Sequence, residues 1–196
     1  MLCYVPDYCR DEVADHTFAL SLVALRKIAL LNKRMHQHIW NSVEAGAVPR
    51  LTSAVFGLIG FGAIAKKVAT RAKACGMSVV AYDPYLDNEV FEGEGVRRAI
   101  QMEEVFTQAD VISLHLPSNR ETYHVIGAAA FAAMSNRIAF MLFFFAFPRF
   151  VTVSTALVLA EVGSRRSPAS KKNAPRPKSV PKHSKIKYNL FHLNSL

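Results

Sequence analysis

The sequence predicts an α/β protein built on a parallel sheet, because short apolar runs alternate with stretches of helical periodicity. The first apolar run, at 54–59, leads directly into a turn that holds Gly60 and Gly62. A stretch at 63–75 with apolar residues at helical spacing follows, and a second run at 78–82 ends at Asp83. Strand, glycine turn, helix, strand and acid, in this order, indicate a doubly wound sheet of the Rossmann type.

Three small residues in the glycine turn fit a phosphate-binding role. Gly60 lets the chain turn tightly out of the strand, and Gly62 lacks a Cβ, so that a pyrophosphate can come close to the backbone. Ala65 occupies the third small position, where the helix packs against the strand. The N-terminus of the helix then offers free N–H groups and a partial positive charge to the phosphates. The turn therefore predicts dinucleotide binding.

The acid after the second strand indicates which dinucleotide is bound. Asp83 lies 23 residues after Gly60, close to the spacing of about 20 expected for a ribose-binding acid. A carboxylate here accepts hydrogen bonds from ribose hydroxyls and repels a 2′-phosphate. We therefore expect NAD to be preferred over NADP.

The other predicted elements continue the alternation. A helix is expected over 11–35, with Phe18, Leu22, Leu25 and Ala29 on one apolar face. Gly76 fits a C-terminal helix cap, whereas residues 84–99 are polar and receive no regular element. Further elements are a helix at 101–108, a strand at 110–115 and a helix at 128–134.

Length and cysteine content limit the class of protein. The chain has 196 residues, enough for one domain and a tail. Cys3, Cys9 and Cys75 show neither paired nor metal-like spacing, and the first residues lack the pattern of a secretory signal. We expect a reduced, cytoplasmic protein with no metal site.

The net charge of +9 comes from the end of the chain. Residues 1–163 hold 15 Lys and Arg against 15 Asp and Glu, whereas residues 164–196 hold nine Lys and Arg and no acid. We interpret 164–196 as a solvated, disordered basic tail, because its Pro, Ser and Lys residues show no core-forming pattern. Contact of the tail with nucleic acid or an anionic membrane is the alternative.

A long apolar segment lies before the tail. We divide the chain into a partial NAD-binding domain at 1–137, an apolar segment of unassigned role at 138–163 and the tail at 164–196. Residues 138–160 are long enough to span a bilayer, so a membrane anchor is one alternative. Against it, Pro148 and Arg149 would lie near the membrane centre, where arginine costs about 2.5–3.5 kcal/mol.

Several segments together resemble the NAD-binding domain of the D-isomer-specific 2-hydroxyacid dehydrogenases. They are the entry at 5–17, the phosphate loop at 59–65, the acid at 83–85, the strand at 109–117 and the following turn and helix at 121–134. The resemblance implies an NAD-dependent oxidoreductase that resembles phosphoglycerate dehydrogenase and forms a homodimer through the cofactor domain. The cofactor-binding residues that it implies are Gly60, Gly62, Ala63, Ile64, Ala65, Asp83, Pro84, His115, Leu116 and Pro117.

The chain departs from the family pattern in three respects. Ala63 stands where many members have an arginine near the pyrophosphate. The family's substrate domain has no counterpart before the entry segment, and its catalytic arginine, glutamate and histidine have no match after Met134. We therefore assign no catalytic residue and expect an incomplete sheet with an open edge, as in a truncated or altered product of a longer gene. A genuine isoform with its own tail is the alternative origin of residues 136–196. A non-catalytic, NAD-sensing interaction module is the alternative function.

Overall fold

A six-stranded sheet organises the chain. The computed structural model describes residues 7–41, 46–117, 119–134, 139–144 and 154–159. The strands are β1 (Val55–Ile59), β2 (Ser78–Tyr82), β3 (Arg97–Arg98), β4 (Val111–Leu114), β5 (Ala139–Phe144) and β6 (Ser154–Leu159). They lie in the order β3-β2-β1-β4-β5-β6. All neighbours are parallel except β5 and β6, which are antiparallel, and the predicted Rossmann-type sheet is confirmed.

The order reverses at β1, which lies between β2 and β4. Phe56 is in register with Val79 on one side and Val111 on the other. Asp110 fixes this register at the beginning of β4, because its Oδ2 accepts a hydrogen bond of 2.9 Å from Val55 N. Ligands bind in such sheets outside the carboxyl ends of the strands, at the point where the order reverses.

Six α-helices and a short 3-10 helix (Leu51–Ser53) accompany the strands in the described ranges. The α-helices are α1 (Arg10–Leu25), α2 (Ile28–His36), α3 (Ala63–Ala74), α4 (Asn88–Gly93), α5 (Met102–Gln108) and α6 (Ala128–Ala133). α3, α5 and α6 agree with prediction within one or two residues. Gly76 caps α3 as predicted: its φ is 78°, and Met77 N donates back to Ala72 O at 3.1 Å, as in a Schellman motif.

The prediction of one helix over 11–35 is wrong about its continuity. Lys27 adopts a left-handed φ of 54°, so that the first helix ends at Leu25 and the second begins at Ile28. Arg26, next to the break, donates from Nη1 to Pro49 O at 3.1 Å. This contact ties the break to the segment that leads into β1.

The face of α1 that packs on the domain agrees only in part with the prediction. Of the expected stripe, Leu25 is buried and Phe18 packs against the core. The α1 residues with no exposed surface, however, are Ala14, Thr17 and Ser21. The hydroxyls of Thr17 and Ser21 donate to the carbonyls of Val13 and Thr17, at 2.7 and 2.8 Å. Because each buried hydroxyl is satisfied within the helix, these small residues can lie in the interior.

The core has one layer on each face of the sheet. Phe56 and Leu58 of β1 point to the layer formed with α1 and α3, whereas Ile59 points to the layer formed with α5 and α6. Strand β2 divides in the same way, with Val79 on the first face and Val80 on the second. Burial on both faces explains why the parallel strands read as continuous apolar runs.

Residues 84–99 contain two elements that the sequence did not predict. α4 ends in a Schellman motif: Gly95, with φ 58°, donates to Glu92 O at 2.9 Å, and Val96 N donates to Phe91 O at 2.9 Å. Gly95 was therefore the residue from which the sequence could have indicated the end of this helix. β3 has only two residues and pairs with Val80 and Ala81 of β2, so it is too short to show an alternating pattern.

The structure also differs from the expected open edge beside the strand at 110–115. β5 pairs in parallel with β4, from Val111 with Ala139 to Leu114 with Leu142, and β6 pairs with β5. The apolar segment at 138–163 thus contributes two strands to the sheet, at 139–144 and 154–159. Within the part of the chain that the structure describes, no helix is long and apolar enough to cross a membrane. The tail at 164–196 lies outside the described residues.

Gly57 in the middle of β1 gives a test of the core packing. A Cβ at this position would lie 2.6 Å from Val105 Cγ1 and 2.8 Å from Ala109 Cβ, so the backbones of β1 and α5 would have to move apart. We expect Gly57→Ala to lower the free energy of unfolding by about 1–3 kcal/mol, measured by urea denaturation. Gly93→Ala adds the same atom in open space and should cost nothing. Equal stability of the two variants would contradict this packing.

Candidate cofactor-binding site

The glycine turn lies at the carboxyl end of β1, where the sheet order reverses. Gly60 has a φ of 84°, which favours glycine. A Cβ there would lie 2.6 Å from the carbonyl oxygen of His115 and 2.9 Å from Leu116 Cδ2. Gly60 N donates to Tyr82 O at 2.8 Å. The turn is thus packed between the ends of β2 and β4, with no room for a side chain at Gly60.

Gly62 has the opposite surroundings. Its φ is −75°, which any residue can adopt, and a Cβ there would meet nothing within 4 Å. The backbone conformation at this position does not require glycine. The open space in place of a side chain instead allows a ligand to approach the backbone closely. Gly62 therefore marks the ligand side of the turn.

The N-terminus of α3 faces the same space. Gly62 is the N-cap residue and supplies no capping side chain, and Lys66 N donates to Gly62 O at 3.0 Å as the first helical bond. The N–H groups of Ala63, Ile64 and Ala65 therefore have no acceptor within the helix. Ala65 is fully buried, as expected for the small third position. Free N–H groups and the helix dipole together suit an anion such as a pyrophosphate.

Asp83 joins the glycine turn to the end of β2. Its Oδ2 accepts a hydrogen bond from Phe61 N at 2.9 Å, and its Oδ1 accepts one from Tyr85 N at 3.0 Å. The carboxylate is half-buried, and each oxygen retains a lone pair for a further donor. The structure thus brings together the glycines and the acid that the sequence placed 23 residues apart.

Phe61 packs the glycine turn against α4, a role that the sequence did not reveal. Its ring is fully buried and stacks on Phe91 of α4, with ring centroids 4.9 Å apart and an angle of 11° between the rings. The Arg98 guanidinium lies 5.4 Å from the Phe91 centroid, within range of a cation–π contact. Because α4 was not predicted, nothing in the sequence indicated a partner for Phe61.

His115 closes the site on the β4 side. Its backbone N donates to Ile59 O at 2.8 Å, and its Nε2 lies 3.1 Å from Oγ of the buried Ser113, with the donor set by the tautomer. The residue is half-buried by surface area, but protein atoms crowd the ring. Desolvation by this burial lowers the pKa of His115 from 6.5 to about 4. The imidazole is therefore neutral at pH 7.

The remaining predicted site residues lie on the two loops that border the turn. Leu116 is half-buried and contacts the Gly60 region, and Pro117 is exposed directly after it. Pro84 is exposed beside Asp83 on the other loop. The predicted set thus lies at the carboxyl ends of β1, β2 and β4. Across the described ranges, no group of three or more His, Cys, Asp or Glu could hold a metal ion.

The comparison with protein families agrees with this geometry. Residues 18–142 match the family model described as the D-isomer specific 2-hydroxyacid dehydrogenase, NAD binding domain. The chain belongs to this family. Its cofactor is NAD, and the match runs from α1 into β5, so the NAD-binding domain includes both core layers described above.

Individual relatives and structures give the same result. The chain is 36% identical over 131 residues to D-3-phosphoglycerate dehydrogenase of Methanocaldococcus jannaschii, which covers 67% of this chain and 25% of that protein. D-lactate dehydrogenase of Aquifex aeolicus, complexed with NAD and lactic acid, superposes with a TM-score of 0.65 at 28% identity, over 70% of this chain and 41% of that one. An acyclic imino acid reductase in complex with NADPH and D-Arg superposes with a TM-score of 0.63 at 25% identity. The superposition covers 71% of this chain and 44% of that one.

The relatives are much longer than the matched region. The chain spans between 24% and 40% of the length of four curated relatives that it matches. The resemblance to the NAD-binding domain is therefore confirmed for one domain of these enzymes.

The neutral His115 predicts a pH dependence of stability. Its pKa is about 4 in the folded protein and 6.5 in the unfolded chain, so the unfolded state binds more protons between these values. Stability should therefore fall as the pH drops from 6.5 towards 4, by up to about 3 kcal/mol from this group. Urea denaturation across this range should show a steeper decline for wild type than for His115→Gln.

The matched control is His124→Asn, which removes an exposed histidine and keeps a residue that tolerates the φ of 55° at this position. This variant should follow the wild-type curve. The same slope in wild type and His115→Gln would contradict a desolvated His115.

Proposed function

We propose that this chain is the cofactor domain of an oxidoreductase that acts on a 2-hydroxy acid, and that it holds NAD at the glycine turn. One observation carries the proposal: the open space above Gly62, bounded by the free N–H groups of α3 and by Asp83. The free N–H groups suit a pyrophosphate against the helix, with the adjoining ribose at Asp83. An arginine in place of Ala63 is not needed in this arrangement, because the helix N-terminus supplies the positive potential.

Each predicted site residue has a part in the proposed complex. Gly60 shapes the turn, and Gly62 with Ala63, Ile64 and Ala65 presents backbone N–H groups to the phosphates. Asp83 accepts hydrogen bonds from the ribose hydroxyls, beside Pro84. The segment formed by His115, Leu116 and Pro117 lines the wall at the end of β4.

The proposed reaction class follows from the family and from the cofactor. When bound, NAD accepts or donates the hydride exchanged with the carbon that bears the hydroxyl group. Similarity to D-3-phosphoglycerate dehydrogenase supports a 2-hydroxy acid as the substrate. The sequence after Met134 carries no match to the family's catalytic arginine, glutamate and histidine. We therefore propose that these 196 residues bind the cofactor without completing the reaction.

Gly62→Ala tests this assignment, because it separates binding from folding. The added Cβ meets no protein atom within 4 Å, so the midpoint of thermal unfolding should fall by no more than the modest cost of alanine at an N-cap. It would occupy the space proposed for the pyrophosphate, and we expect the dissociation constant for NADH to rise at least tenfold, about 1.4 kcal/mol. Calorimetric titration of the full chain with NADH measures this change.

Gly93→Ala is the control, since it also adds a methyl group in open space but on α4. It should bind NADH like wild type. An assay of NADH formation with D-3-phosphoglycerate and NAD should show no turnover. Unchanged binding by Gly62→Ala would refute the assigned phosphate position, and turnover would refute the non-catalytic part of the proposal.

We also propose that the chain forms a homodimer through the cofactor domain, with the first helical region at the interface. Exposed apolar side chains on and after α2 support this: Ile28 is 50% exposed, Met35 48%, Ile39 42% and Trp40 85%. α2 buries none of its residues in the domain. An apolar patch of this kind favours a protein contact.

Sedimentation velocity of the full chain tests the dimer. Wild type should sediment as twice the 21.7 kDa chain mass, and Trp40→Ala should shift the distribution towards monomer. Tyr123→Ala, which removes a 74% exposed aromatic ring outside this patch, should leave the dimer intact. A monomeric wild type, or the same shift in both variants, would contradict the proposed interface.

A further inference from the structure

A side-chain hydrogen bond joins the two loops that border the glycine turn. Tyr85 Oη donates to Glu121 Oε2 at 3.1 Å. Tyr85 lies two residues after Asp83, on the loop that follows β2, and Glu121 lies on the loop that follows β4. Because β1 lies between β2 and β4, the bond bridges the loops on either side of the strand that ends in the glycine turn.

Local contacts hold the backbone on both sides of this bridge. Tyr85 N donates to Asp83 Oδ1 at 3.0 Å, which ties the tyrosine to the proposed ribose acid. Glu121 N donates to Asn119 Oδ1 at 3.0 Å. Thr122 N donates to the same oxygen at 2.9 Å, and Thr122 Oγ1 donates to Pro117 O. The loop after β4 thus presents Glu121 towards Tyr85 through its own turn.

Two carboxylates act on the Tyr85 hydroxyl. The hydrogen bond to Glu121 is the largest cause of the raised pKa of Tyr85, and the negative charges of Glu121 and Asp83 raise it further. The hydroxyl therefore stays protonated and donates at neutral pH. Asp83 and Glu121 thus act on the same tyrosine hydroxyl, one from each of the two bordering loops.

We propose that Glu121, held by Tyr85, is a second acidic determinant of cofactor choice that disfavours the 2′-phosphate of NADP. This inference rests on the proposed NAD site and adds a residue to it. Asp83 would oppose the phosphate directly at the ribose, whereas Glu121 would do so through its charge from the loop that follows β4. The question is open within this fold, because one structural neighbour was determined with NADPH.

The experiment measures dissociation constants of the full chain for NADH and NADPH by calorimetric titration. Glu121→Gln keeps the shape of the side chain and an acceptor for Tyr85 but removes the charge. We expect NADPH binding to tighten roughly threefold to tenfold at low salt, with less than about a twofold change for NADH. In about 1 M salt, where the screening length is about 3 Å, the gain should largely disappear.

Three further variants define the origin of the effect. Asp83→Asn is the reference for the ribose acid and should relax the preference more strongly than Glu121→Gln. Tyr85→Phe keeps the Glu121 charge but frees it, and a smaller gain for NADPH is expected. Glu103→Gln removes an exposed acid from α5, outside both loops, and should leave the ratio of the two constants unchanged.

The outcomes separate this inference from the proposed function. If wild type prefers NADH and Glu121→Gln keeps the same ratio, the role of Glu121 is overturned while the NAD site stands. An equal gain in Glu103→Gln would also overturn it, because the effect would then reflect net charge alone. If wild type binds neither nucleotide, the proposed function fails and this inference fails with it.

Discussion

The contact between Gly60 and the carbonyl oxygen of His115 sets the spacing of the whole site. At this point the turn that leaves β1 packs against the end of β4, and a Cβ on Gly60 would lie 2.6 Å from that oxygen. The same turn is held from the β2 side, because Asp83 accepts a hydrogen bond from Phe61 N. The glycine turn therefore connects the strand ends and the two bordering loops into one unit. The positions of all of them depend on the backbone conformation of the turn.

The groups in this unit divide into those that the fold needs and those that it does not. Gly60 and Phe61 are needed by the fold, the first for its φ and the second for its buried ring. Gly62 has no such role, since nothing surrounds the place of its Cβ. Asp83 belongs to both groups: its carboxylate already orders two backbone N–H groups before any ribose is present. Hydrogen bonds to a charged group are worth about 1.5–3 kcal/mol, so stability and binding are coupled at Asp83.

α1 fixes the orientation of α3, whose N-terminus faces the site. Lys67 and Arg71 of α3 form ion pairs with Asp11, and Arg71 also pairs with Asp15. The pKa of the Asp11 carboxyl is lowered by its hydrogen bonds to Lys67 and Arg71. These pairs are largely exposed and individually contribute little. Most of the stabilisation must come from the packing of small side chains, with Ala14 of α1 in one core cluster with Ala65, Ala69 and Ala72 of α3.

The sequence alone determined the alternating order, the glycine turn, the Gly76 cap and the pairing of Gly60 and Gly62 with Asp83. Local rules suffice for these features, because glycine conformation, helical periodicity and the acid after β2 are encoded within about 25 residues. Only the tertiary structure decided the break at Lys27, the stacking of Phe61 on Phe91, the desolvation of His115 and the Tyr85–Glu121 bridge. Each of these depends on contacts between residues that are distant in sequence. Phe61 also depends on α4, whose six residues are too few to show a clear periodic signal. The long-range contacts that assemble the sheet also assemble the site.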